Sequence, residues 1–129
     1  MKILLICLFI ATLLPYLSKL VLSYFMQQAN GYDNHYPRQQ QSALQGMGAR
    51  ALAAHQNSFE ALLIFAIAIL VAIATNHVTK LNEYLAMIFI ISRVIYHIIY
   101  LLNLGTLRTL IWLVGLVSCL VIFWSSIPI

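Results

Sequence analysis

Glu60 lies about ten residues inside an apolar stretch that runs from Ala51 to Ala74 and is long enough to cross a bilayer. A carboxylate at that depth is costly unless it is paired or wet, so it marks a functional site. Arg50, His55, Gln56 and Asn57 precede it closely, and Arg93 interrupts a later apolar run as a partner of opposite sign. On a helix, Arg50, Ala53, Asn57 and Glu60 are spaced by three, four and three residues and share one stripe; His55 and Gln56 point to its flanks. Arg93, Tyr96, Tyr100 and Asn103 repeat that spacing, with His97 one position around from Tyr96. Such groups suit a small anionic ligand that meets a lipophilic one. Arginine forks onto carboxylates, and a tyrosine hydroxyl can donate to a developing anion.

The elements that must carry these stripes follow from composition. The chain has 129 residues, of which 63% are hydrophobic and 8% charged, against roughly 25% charged in an average soluble domain. These values predict an all-α integral membrane protein, a single four-helix bundle with spans at about 3–24, 51–74, 81–102 and 107–124 and one polar segment at about 26–49. The spans are helices because a backbone in lipid must satisfy its own hydrogen bonds. The net charge of +4 is spread around the spans and reads as a topology signal, not as a surface for nucleic acid. Lys19, Arg38, Arg50 and Arg108 outweigh Lys2 and Lys80 at the other face. By the positive-inside rule the 26–49 loop is cytoplasmic and both termini lie on the opposite side. Cys7 and Cys119 fall in apolar spans without metal-ligand spacing and read as packing residues, so no metal is expected.

Depth gives a separate constraint. Glu60 lies roughly 15 Å from the start of its span at 1.5 Å per residue, and Arg93 reaches a similar level from the other chain direction. The two are therefore expected to meet near mid-membrane. The remaining polar side chains, among them Lys19, Arg50, Asn57, Tyr96, Tyr100 and Arg108, lie between that level and the loop end, leaving the other half apolar. A Glu60–Arg93 pair by itself can also be a device that fixes helix register.

Arg50, Ala53, Ala54, His55, Asn57 and Glu60, followed by Arg93, Tyr96, Tyr100 and Arg108, resemble the MAPEG family, the membrane-associated proteins in eicosanoid and glutathione metabolism. The resemblance implies a homotrimer of four-helix protomers with glutathione bound between neighbours on the cytoplasmic side. It assigns Arg50, Asn57, Glu60, Arg93, Tyr96 and Tyr100 to glutathione binding, with His55 and Gln56 as further contacts, and Arg108 to activation of the thiol as the catalytic residue. A lipophilic electrophile or lipid hydroperoxide would enter from the bilayer lipids. The implied activity is that of a glutathione-dependent transferase or peroxidase. Ala53 stands where glutathione-binding members carry an arginine, and Ala61 where the leukotriene-synthase branch is often aromatic. Those departures leave open a non-catalytic member that binds a lipid or a partner protein.

Overall fold

A computed structural model describes residues 1–128 of the chain and shows five helices with no strand among them. They are α1 (Lys2–Gln28), α2 (Pro37–Ala43), α3 (Gly46–Ala74), α4 (Lys80–Leu101) and α5 (Gly105–Ser125). Helices α1, α3, α4 and α5 are long and apolar enough to cross a membrane, and the protein is a multi-pass membrane protein built as a helical bundle. Its closest packings are α4 on α5 and α1 on α3, with α3 also lying against α5.

The helix ends follow from local chemistry. Asn30, Asn76 and Asn103 adopt left-handed φ of 69°, 56° and 60° just beyond α1, α3 and α4. Asparagine tolerates that region better than most residues, and the reversed backbone turns amides onto the last helical carbonyls. Thus His77 N–H donates to Ala72 O at 2.9 Å. At the start of α4 the Thr79 hydroxyl accepts from Asn82 N–H at 3.2 Å.

The segment between α1 and α3 is more ordered than a plain polar loop. Pro37 opens α2 at the position where its missing N–H costs nothing. The Asp33 carboxylate accepts from the amides of His35 at 2.9 Å and Tyr36 at 3.0 Å, which fixes the turn into that helix. Gln40 then ties α2 back to α1: its amide nitrogen donates to the carbonyls of Gly31 at 2.7 Å and Met26 at 3.1 Å, while its oxygen accepts from Asp33 N–H at 2.9 Å.

The core mixes small and flat side chains with a few branched ones. Leu4, Cys7 and Ala11 of α1 meet Phe65, Ala68, Ile69 and Ala72 of α3, Ala86 and Phe89 of α4, and Cys119 and Ile122 of α5. In lipid there is little hydrophobic drive between helices, so close van der Waals approach must hold them together and small residues permit it. Gly115 is the sharpest case. A methyl group there would sit 3.0 Å from Ser92 Oγ, and Ser92 is pinned by its own bond to Phe89 O at 2.7 Å. Gly115→Leu should therefore separate α4 from α5 and lower stability by about 1–3 kcal/mol, measured as a lowered unfolding temperature in detergent; an unchanged value would show that this contact gives way freely.

The half of the bundle away from α2 was expected to be apolar, and it contains a buried polar knot. Asn82, fully buried, donates to His77 O at 2.9 Å and accepts from Ser125 Oγ at 2.9 Å. Burial in a membrane protein requires that such groups satisfy one another, and this knot clamps α4, α5 and the connection after α3. Beside it Glu83 pairs with the Met1 ammonium at 3.2 Å and with Lys80 at 2.9 Å.

Candidate functional site

Arg93 is 3% exposed, on the face of α4 that meets α3 and α5. Its Nη2 donates to Asn57 Oδ1 at 2.5 Å, and Asn57 Nδ2 donates to Glu60 Oε2 at 3.0 Å. The direct pair between Glu60 and Arg93 is not formed: among the described residues the ion pairs are those of Glu83 alone. The reason lies in the α3 stripe. Asn57 stands one turn before Glu60, closer to α4, and its amide presents an oxygen to the cation and a nitrogen to the carboxylate. A charged guanidinium is thereby bonded at depth while the Glu60 carboxylate stays exposed. Arg93 Nε is buried with no partner among the described residues.

Aromatic faces also flank the two cations. The Arg93 guanidinium lies 4.1 Å from the Tyr96 ring centroid, and that of Arg108, from the first turn of α5, lies 4.4 Å from the Tyr100 centroid. The two tyrosine rings meet edge to face at 5.5 Å. Arg93, Tyr96 and Tyr100 follow one another along α4 at the expected spacing, so the stacked series is a direct result of helical geometry.

Two neighbouring clefts open on this cluster. The inner one, of about 70 Å³, is lined by Asn57, Glu60 and Arg93 on one side and by Ile64, Phe89, Leu116 and Cys119 on the other. The outer one, of about 210 Å³, is lined by Tyr96, Tyr100, Arg108 and Thr109. Trp112 belongs to both walls. Each is smaller than the roughly 300–1,000 Å³ of a pocket that encloses a small organic ligand. A lipophilic wall beside a bonded arginine and an exposed carboxylate is an amphipathic arrangement, suited to a polar ligand and an apolar one side by side.

Asn57, Glu60, Arg93, Tyr96, Tyr100 and Arg108 are thus brought to one region. Arg50 is not in either cleft; its Nε donates to Leu101 O at 3.1 Å and satisfies an open carbonyl at the end of α4. His55 and Gln56 turn to another face of α3 and line a separate cleft with Arg38 of α2. Trp112, Gly115 and Cys119 line the site without having been singled out for it, although Trp112 follows Arg108 by four residues and so shares its face. Cys119 was read as packing; it is buried, and it also forms part of the inner wall.

Fold and site together define a polytopic helical membrane protein with a polar cleft at the α2 half of the bundle. The chain belongs to the MAPEG family, the membrane-associated proteins in eicosanoid and glutathione metabolism, whose profile it matches over residues 3–127. No curated protein and no solved structure gives a match.

Proposed function

We propose that this chain is a glutathione-dependent transferase or peroxidase acting on lipophilic electrophiles or lipid hydroperoxides that arrive from the bilayer. The observation that carries the reading is Arg108 stacked on Tyr100 at 4.4 Å beside the Asn57–Arg93 bond. Glutathione bears two carboxylates, an amine and a thiol. Arg93 and Arg108 offer charge to its acidic groups, and Glu60 offers an acceptor for its amine. A guanidinium near the sulfur favours the thiolate, which is the nucleophile. In the transferase reaction the thiolate attacks the electrophile, a carbon–sulfur bond forms, and the displaced or opened group takes a proton. In the peroxidase reaction two glutathione molecules and a hydroperoxide give the disulfide, an alcohol and water.

In this reading the working unit is a homotrimer, and a neighbouring protomer completes the binding site. The size of the clefts supports that arrangement, because about 70 and about 210 Å³ leave a tripeptide largely uncovered in one protomer. Glu60 supports it as well, since its carboxylate is exposed in one protomer at membrane depth and a second copy would cover it. The end bearing α2 is cytoplasmic, with both termini across the membrane.

The second reading is a non-catalytic protein that binds a lipid or a partner in the same fold, favoured by Ala53 in place of an arginine. Titration calorimetry of glutathione into the folded, detergent-solubilised protein, with ultraviolet detection of thiolate, separates the two. Saturable binding with thiolate formation is expected; no binding at millimolar glutathione would leave the second reading standing.

A further inference from the structure

The outer and inner clefts follow one another along the seam between α4 and α5. On α4, Tyr100 and Tyr96 line the outer cleft and Arg93 and Phe89 the inner one. The boundary falls between Tyr96 and Arg93, which are stacked on each other at 4.1 Å. On α5, Arg108 and Thr109 line the outer cleft alone, and Gly115, Leu116 and Cys119 the inner cleft alone. Trp112 stands between these sets and is the one side chain of the described residues that belongs to both walls. Helical repeat places it there. Trp112 follows Arg108 by four residues and precedes Leu116 by four, so it lies roughly 6 Å along the axis from each, on a shared face.

Size gives this wall a consequence. A cavity of about 150 Å³ accommodates benzene, whereas the inner cleft has about 70 Å³. It therefore admits a slender chain or the reacting end of a molecule, and excludes a ring system. Its other walls have little room to yield. Phe89 is stacked on Phe65 at 4.0 Å, and a methyl group on Gly115 would already meet Ser92 Oγ at 3.0 Å. Behind Trp112 the outer cleft offers about 210 Å³ more. Without the indole the two spaces would join and, with the volume it vacates, enter the range of roughly 300–1,000 Å³ found for small-molecule sites. A neighbouring protomer that covers both mouths leaves this wall in place, because α5 of the same chain provides it.

We infer that Trp112 determines which lipophilic substrate the site accepts. The substrate lies along the apolar wall of the inner cleft formed by Phe89, Leu116 and Cys119, and its reacting end passes the indole to reach the thiolate at Arg108. Slender straight-chain compounds, such as linear alkyl hydroperoxides, fit that passage, and bulky ring systems do not. This role rests on the glutathione reading, which places the thiolate at Arg108. The indole suits it physically, being a broad apolar plate that excludes volume without adding charge beside Arg93 and Arg108.

Tryptophan fluorescence of the full chain in mild detergent tests this. Trp124 is the other tryptophan and lines neither cleft, so Trp124→Phe leaves Trp112 as the single reporter. The linear bromooctane should quench Trp112 saturably, and the caged bromoadamantane should do so about tenfold or more weakly, a difference of the size that pocket shape supports. Glutathione-dependent reduction of a linear alkyl hydroperoxide and of cumene hydroperoxide gives the functional measure. Trp112→Ala should move the ratio of their kcat/KM values about tenfold or more toward cumene hydroperoxide, and Trp112→Phe, which keeps a ring at this position, should move it less. Equal saturable quenching by the two bromides, or an unmoved ratio in folded Trp112→Ala protein, would overturn the assignment. Absence of glutathione binding and turnover in the unaltered protein would overturn the glutathione reading instead, and the two bromides would still decide whether Trp112 sets the shape of the cleft.

Discussion

Replacing Asn57 by leucine should destabilise the protein by about 3 kcal/mol, because it leaves the buried Arg93 guanidinium without the one side-chain acceptor it has among the described residues. The cost arises from the stranded charge more than from the lost bond. Arg93 is 3% exposed and its Nε already has no partner among the described residues, so little capacity remains to absorb a second loss. Glu60→Gln removes a charge from the same chain of groups but keeps an oxygen for Asn57, and the carboxylate it replaces is exposed. Its effect should stay within about 0.5 kcal/mol, the usual range for substitutions at exposed positions. Thermal unfolding of the two variants in one detergent provides the comparison. If Glu60→Gln proved the more damaging, the carboxylate rather than the amide would be the group that holds Arg93.

Arg108→Ala should have the opposite profile, with stability nearly retained and glutathione-dependent turnover reduced about 100-fold or more, the usual scale for removing one group that stabilises developing charge. Arg108 lies in the first turn of α5, partly exposed, and its described contact is the face of Tyr100. Exposed stacking of this kind is worth roughly 0.5–1 kcal/mol, so the bundle should tolerate the change. The informative quantity is the thiolate signal at saturating glutathione. Its loss with binding retained would separate thiol activation from binding, while an undiminished rate would exclude Arg108 from the chemistry.

Much of this architecture was legible in the sequence because bilayer thickness sets a length scale that few other arrangements satisfy. Four long apolar runs can become little else, and α1, α3, α4 and α5 are those runs. The series Arg93, Tyr96 and Tyr100 was legible for a related reason, since it depends only on helical repeat. What the sequence left hidden depends on side chains choosing between competing partners. Opposite charges at similar depth suggested that Glu60 and Arg93 would pair, yet an amide one turn closer holds the cation. Arg50 shared their stripe and was drawn away by the free carbonyl of Leu101. His55 pointed to a flank, as its position implied, but that flank is filled by Ser18 and Pro15 of α1, a helix whose rotation no local pattern encodes. The Asn82 knot escaped notice because a single asparagine and one late serine look like the ends of separate helices until the bundle closes.

At the apolar wall of the inner cleft, Phe89 of α4 stacks on Phe65 of α3, with ring centroids 4.0 Å apart and planes inclined by 2°. Phe65 is fully buried and Phe89 nearly so. The pair closes the polar cleft from below with a slab of hydrocarbon, and small residues of α1 and α3 continue the seal toward the Asn82 knot. Water that entered from the Glu60 side would therefore meet apolar side chains before it reached the other surface. A bundle sealed in this way would hold charge deep in the bilayer without offering ions a path across it, so an embedded chemistry would not discharge the membrane that hosts it.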